Sequence, residues 1–273
     1  MKIHYHKSFW ESDCADKQAL EGLLAKVAAE GYQGTELFLP FYPISPADTL
    51  SSHKEHGLDI ITGIATDGTN VNRHLDSLSR QVEQAMAFSP RFINSHTGRD
   101  IFTWAENIRL FEHAMALEAQ YGISIVHETH RFRPTFSTFG TEQIINALPT
   151  LKLNLDISHW MVVHESDLSD QHQRVQSLLN NVHHVHARVG FEEGPQVTDP
   201  QHPRWATHLA NHTRLWQNVV DVAAQRGQEV LTITPEFGPF PYAHFDPRSD
   251  KSLTDIWAAN GFIRQHLADS LVL

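Results

Sequence analysis

Apolar, β-branched runs alternate along this chain with longer stretches whose apolar residues recur at helical spacing. Residues 2–9 alternate in polarity and predict a first strand ending near His6. Further strands are predicted at 34–39, 59–65, 91–96, 123–128 and 182–189, and in the stretches 153–159 and 230–236. Ile123-Ser124-Ile125-Val126 typifies them, a run closed by polar residues, as a strand buried on both faces would be. Helices are predicted between them. Leu20, Leu23, Leu24, Val27 and Ala28 form one apolar face at 16–31, and Leu75, Leu78, Val82 and Met86 form another at 71–88. Shorter or weaker patterns predict helices at 46–56, 103–121, 141–148, 170–180, 213–226 and 253–267. Gly31, Gly57 and Gly122 stand where three of these should stop.

Strand and helix therefore alternate throughout, with no low-complexity linker between them. Parallel neighbours need crossover connections, so this order implies an α/β protein with a parallel sheet. Eight such units in 273 residues fit one domain, 1–273, folded as a single (β/α)8 TIM barrel, with a doubly wound open sheet as the alternative. Function in a barrel gathers at the mouth formed by the strands' C-terminal ends.

Composition narrows the partners. A formal net charge of -11 argues against nucleic acid, whose binding relies on Lys and Arg neutralising phosphates. No apolar run is long enough to cross a membrane as a helix, and Met1–His6 lacks the apolar core of a signal peptide. Cys14 is the only cysteine, which fits a reducing, cytoplasmic setting. The one unusual total is 20 histidines, several of them at strand ends.

Four strand ends carry the candidate chemistry: Glu128, Asp156, His186 and Glu236. Each has an ordinary reading as well. Glu128 or Asp156 would serve as a helix cap, His186 as a core histidine, and Glu236 as a brace for the turn Phe237–Pro241. Together they make a stronger pattern. Three carboxylates converging on one mouth would repel and take up protons unless a cation held them. Three oxygens and one nitrogen suit Mn²⁺ or Mg²⁺ first, with Co²⁺ or Zn²⁺ also compatible.

Glu after strand five, Asp-x-x-His after strand six, His-x-His in strand seven and Glu after strand eight resemble the xylose isomerase-like TIM barrels. That superfamily includes ketose 3-epimerases, hydroxypyruvate isomerase, inosose dehydratase and, more distantly, endonuclease IV. The resemblance spans essentially the whole chain in element order. It implies one divalent metal held by Glu128, Asp156, His186 and Glu236, with His186 rather than His184 as the imidazole ligand. It further implies substrate contacts from His159 and Arg188, although the corresponding arginine of the epimerases lies farther from the histidine.

The expected activity is isomerisation or epimerisation of a sugar or hydroxy-keto acid, by proton transfer through a metal-stabilised ene-diolate. Glu128 and Glu236 are the expected catalytic acid and base. His6, Glu36, His96 and His130 are expected to line the pocket, with Arg131 near an acidic group of the substrate. Trp10, Phe38, Trp104 and Trp160 are candidate covers for a sugar face. The expected partner is a small carbohydrate or hydroxy-keto compound, in a monomer or homo-oligomer active in carbohydrate metabolism. A dehydratase of the same fold is the nearest alternative, and a non-catalytic sugar-binding barrel another. An endonuclease IV-like hydrolase fits less well, since strand three ends in Ile64-Ala65-Thr66-Asp67 without histidine and no Asp-x-His follows strand seven.

Overall fold

The computed structural model describes residues 1–12 and 14–273. Its strands β1 (Lys2–Ser8), β2 (Gly34–Phe38), β3 (Asp59–Ala65), β4 (Ile93–His96), β5 (Ile125–Glu128), β6 (Lys152–Leu155), β7 (Val182–Ala187) and β8 (Val230–Pro235) close into one barrel in chain order. Every neighbouring pair is parallel, and the ring closes through β1 and β8, with Tyr5 opposite Ile233. The fold is a single (β/α)8 TIM barrel.

The crossovers are made by helices α1 (Lys17–Ala29), α2 (Pro46–His56), α3 (Val71–Met86), α4 (Trp104–Tyr121), α5 (Thr138–Ala147), α6 (Ile157–His164), α7 (His172–Leu178) and α8 (Ala206–Gln225), and α9 (Ile256–Ser270) follows the last strand. Local chemistry sets their ends. Thr103 and Glu106 form a reciprocal capping box at the start of α4, and Gly122 ends it in the left-handed conformation (φ 64°). Outward residues of the strands pack beneath the helices. Ile64 and Ile93, for example, meet Leu78, Val82 and Ala85 of α3 and Ala114 of α4.

Several boundaries differ from the sequence expectation. β1 continues to Ser8, because residues 6–8 pair with residues 34–36 of β2. α8 begins at Ala206 rather than near 213, since its first turns, Ala-Thr-His-Leu-Ala-Asn-His, present no apolar stripe. α6 follows β6 directly, capped by Asp156, where the apolar period places the next helix only at 170–180. That expected helix is α7 flanked by two short 3₁₀ turns.

The barrel's interior positions the site. Such interiors are usually packed with Val, Ile and Leu. Here one aliphatic and aromatic group, Ile61, Phe92 and Val126, gives way to a buried polar assembly that includes His6, Glu36, Asn94, Asn154, His184 and Thr234. Gly34 makes room for it. A Cβ on Gly34 would sit 2.5 Å from the His6 ring and 2.4 Å from the Asp59 carbonyl, so any side chain there would force His6 to move.

Candidate active site

Alternation along each strand turns every second residue inward. In β7 and just beyond, that rule sends His184, His186 and Arg188 to the interior, at increasing height. Glu128 closes β5, Asp156 follows β6 and Glu236 follows β8. One ligand atom from each of Glu128, Asp156, His186 and Glu236 lies within 4.8 Å of the other three. All four predicted ligands thus come together at the C-terminal mouth.

Asp156 meets both readings its sequence context allowed. Its Oδ1 caps α6, accepting from the Ser158 amide at 2.9 Å and the Ser158 hydroxyl at 2.6 Å. Its Oδ2 faces the interior and accepts from Arg188 Nη2. Burial raises the Asp156 pKa to about 6, against the pull of the Arg188 guanidinium.

His186 lies at the centre. Its Nε2 donates to Glu36 Oε1 at 3.0 Å. Its Nδ1 lies 3.0 Å from Glu236 Oε2 and 3.4 Å from Glu128 Oε2, yet it is buried without a hydrogen bond of acceptable geometry. Burial alone would lower the His186 pKa, but Glu236, Glu36 and Glu128 together outweigh it and hold it well above 6.5. An unsatisfied imidazole nitrogen facing carboxylate oxygens is what a metal position looks like from its donors. The residues present fit a divalent ion bound through His186 Nδ1 and the three carboxylates.

A shell of polar groups supports this cluster. Glu36 also accepts from His184 Nε2 at 3.2 Å, while His184 Nδ1 is 2.7 Å from the Thr232 hydroxyl. Asn94 Nδ2 donates to Glu36 Oε1 at 3.0 Å and to Glu128 Oε2 at 3.3 Å. Burial opposes ionisation of Glu36, but His186 and His184 overcome it and keep its pKa well below the ordinary carboxylate value. His96 Nε2 lies 2.7 Å from Glu128 Oε2.

Above the cluster is a cavity of about 150 Å³, walled by Trp10, Phe38, Phe41, His96, His130 and Tyr242, with Glu36, Asn94, Glu128, Arg188 and Glu236 in its floor and sides. His130 is bound to the Tyr242 hydroxyl through Nε2 at 3.1 Å, and its ring sits 3.9 Å from that of His159.

The other expected site residues fall in different places. Arg188 reaches the cavity but is buried and engaged by protein groups: Asp156, Ser158 Oγ at 3.3 Å, His159 Nε2 at 3.0 Å and Glu236 Oε2 at 3.7 Å. His159 is buried beneath it and does not line the cavity. His6 is buried deeper in the barrel, with neither ring nitrogen bonded, rather than in the wall. Arg131 stacks over the Tyr242 ring at 5.1 Å. Trp10 and Phe38 do face the cavity, but Trp160 is wholly buried in the core and Trp104 sits half exposed at the start of α4. Following a strand in sequence did not bring either into the pocket's lining. Asn94 is an addition to the sequence-predicted set, and its shared strand face with His96 is the signal that alternation supplies for it. Tyr242 and Phe41 come from loops whose sequences carry no period.

A pocket over a buried carboxylate–imidazole cluster that could hold a metal ion, at the mouth of an eight-stranded barrel, defines the class of protein. The xylose isomerase-like TIM barrel family matches residues 24–199, and the chain belongs to it. None of the curated proteins matches the chain. Among solved structures, the D-allulose 3-epimerase from Methylomonas sp. in complex with D-allulose superposes with a TM-score of 0.67 at 17% identity, over 98% of this chain and 97% of that one. A xylose isomerase-like TIM barrel protein from Mycobacterium smegmatis in complex with magnesium gives 0.64 at 13% identity, over 98% of each chain. The IOLI protein with a bound zinc atom gives 0.65 at 13% identity, over 100% of each. At these identities the likeness is one of fold. No helix among the described residues is long and apolar enough to cross a membrane.

Proposed function

We propose that this protein is a divalent-metal-dependent isomerase or epimerase of a sugar or hydroxy-keto acid, acting in a reducing, cytoplasmic setting. The convergence of Glu128, Asp156, His186 and Glu236 within 4.8 Å carries this reading. An epimerase holding D-allulose and barrels holding magnesium or zinc among the structural neighbours support it.

A bound divalent ion would supply Lewis-acid polarisation of the substrate carbonyl, with Mn²⁺ or Mg²⁺ suited to this oxygen-rich set. The chain's own groups do the rest. Glu236 takes the proton from the carbon beside the carbonyl, being the carboxylate less tied by the protein. Glu128, bonded to His96 and Asn94, returns a proton. Return to the same carbon inverts it, and return to the neighbouring carbon isomerises the substrate. Arg188 holds Asp156 and balances part of the carboxylate charge instead of gripping substrate. Trp10, Phe38 and Tyr242 exclude water and cover the apolar face of the ring.

Glu36 acts one layer below. By accepting from His186 Nε2 it fixes the tautomer that leaves Nδ1 bare for the metal. Glu36→Gln is expected to weaken Mn²⁺ binding roughly 10–100-fold by calorimetric titration. Unchanged affinity would remove Glu36 from this role.

Metal analysis of the purified protein, followed by a screen of ketoses, hydroxy-keto acids and inososes in D₂O, tests the assignment. The expected result is about one metal ion per chain and deuterium incorporation beside the carbonyl of at least one compound. Incorporation accompanied by loss of water would make the protein a dehydratase. Metal-loaded protein that exchanges no candidate would overturn the assignment.

A further inference from the structure

Beside the candidate active site lies a second and larger cavity, about 560 Å³, that shares Phe38 and Phe41 with the first. Its walls include Arg80, Arg99 and Arg133, together with Asp67, His74 and Phe132. Its floor is built by α3, whose buried face turns polar at the mouth. Gln81 donates to the Ala65 carbonyl at 2.7 Å and accepts from the Ala65 amide at 3.1 Å. Ser77 Oγ accepts from the Asp67 amide at 3.2 Å, and His74 Nδ1 lies 2.8 Å from the Thr66 hydroxyl. The loop after β3 is thereby clamped along one wall.

The arginines are the unexpected part. In a chain of net charge -11, neither Arg99 nor Arg133 has a carboxylate within ion-pair distance among the described residues. Arg133 is buried to 8% exposure, and its Nη1 donates to the carbonyls of Gly98 at 2.8 Å and Thr66 at 3.3 Å. Its Nε is buried with no acceptor. Arg99 lies flat on Phe132, its guanidinium 3.6 Å from the ring centroid, and its Nε is likewise buried and unsatisfied. Burial, and then mutual repulsion from Arg99, lowers the Arg133 pKa to about 10. Arg80 faces the same cavity from α3 and has Asp67 at 3.6 Å, a loose and exposed pair. Two guanidinium groups are held near one another and partly desolvated, and Glu128 and Asp100 oppose the Arg133 charge only from beyond ion-pair distance. The Nη groups that Arg99 and Arg133 leave unbonded are the ones an oxyanion in the cavity would meet.

We propose that this cavity is an anion subsite that takes the phosphate or carboxylate end of an extended substrate while its carbonyl end lies over the Glu128–Glu236 cluster. The proposal rests on the isomerase reading for the second half of that statement only. Arg99 and Arg133 are its charge donors, with Arg80 at the outer rim. Phe38 and Phe41, common to both cavities, form the wall that the substrate's carbon chain passes.

The test uses the metal-loaded protein and two simple probes, inorganic phosphate and acetate, followed by calorimetry or ³¹P and ¹³C line broadening. Wild-type protein is expected to bind at least one probe, and Arg99→Gln to bind it roughly 10-fold or more weakly, the loss of a charge-assisted hydrogen bond. Arg80→Gln should weaken it less, and Arg214→Gln, on α8 and outside the cavity's lining, not at all. Preference for phosphate or for acetate identifies which oxyanion the substrate carries. Arg133 also ties two loops, so Arg99→Gln, which removes no backbone contact, is the deciding variant. No binding of either probe, or binding that Arg99→Gln leaves unchanged, overturns the proposal. A neutral ketose and its phosphate, compared by exchange in D₂O, then separate the two readings. If probe binding depends on Arg99 but neither compound exchanges, the subsite stands and the isomerase assignment fails. If both exchange equally well in wild type and Arg99→Gln, the subsite is not part of substrate recognition and the proposal falls.

Discussion

Glu236→Gln is expected to reduce deuterium exchange at the substrate carbon by roughly 10²–10⁴-fold, the usual contribution of a positioned general base. The fold should survive. Glu236 follows β8 at the mouth, its side chain is 15% exposed, and the amide is nearly isosteric with the carboxylate. Its protein partners are few: His186 Nδ1 at 3.0 Å and Arg188 Nη1 at 3.7 Å. Glu128, by contrast, is 1% exposed, and its Oε2 is shared among His96 at 2.7 Å, Asn94 at 3.3 Å and His186 at 3.4 Å. This asymmetry supports the proposal that Glu236, rather than Glu128, abstracts the proton. Because Glu236 is also a proposed ligand, the comparison is made at saturating Mn²⁺, where a loss confined to kcat separates base from ligand. Near-normal kcat with metal bound would transfer the role to Glu128.

Conformational stability is expected to fall steeply as pH drops below about 6.5, because of histidines far from the site. Among the described residues His53, His127 and His212 are buried away from the candidate ligands. His127 packs against the edge of Phe111 at 5.0 Å and faces the Thr97 hydroxyl at 2.7 Å, and burial, followed by Lys152, lowers its pKa to about 3. Burial lowers His212 to about 4. The unfolded chain binds a proton at each near 6.5 and the folded chain does not until pH 3–4. Protons therefore favour the unfolded state across that window. The stability is present in full above 6.5 and is lost as pH falls toward the folded-state values. At ~1.4 kcal/mol per unit, each of these two would account for on the order of 2 kcal/mol by pH 4.5, a noticeable part of the ~5–15 kcal/mol that holds a typical domain folded. Urea unfolding between pH 7 and pH 4.5 should show this slope, and His127→Gln should flatten it. Stability that stays level over that range would contradict the burial of these groups as neutral rings.

The two expectations divide the histidines into chemical and structural sets, which their number alone did not do. His186 and His127 both lie within strands and both follow a valine. Register decides between them. His186 points into the barrel toward three carboxylates, and His127 points outward beneath α4.

Hydrophobic periodicity alone determined the alternating strand–helix units and with them a parallel sheet, while closure into a barrel rather than an open sheet was decided by the pairing of β1 with β8. Burial of apolar faces is a local, periodic demand that each segment expresses by itself. The four strand-end ligand candidates were legible for the same reason, since a charged residue closing an apolar strand has only the mouth to face. Tertiary structure alone decided what surrounds them. The engagement of Arg188 by Asp156, the pairing of Glu36 with His184 and His186, the depth of His6, and the removal of Trp104 and Trp160 from the pocket are all contacts between residues distant along the chain. So is the meeting of Arg80, Arg99 and Arg133 around one cavity. Such contacts depend on where closure of the barrel brings separate strand ends and loops, and no period within a single segment encodes that.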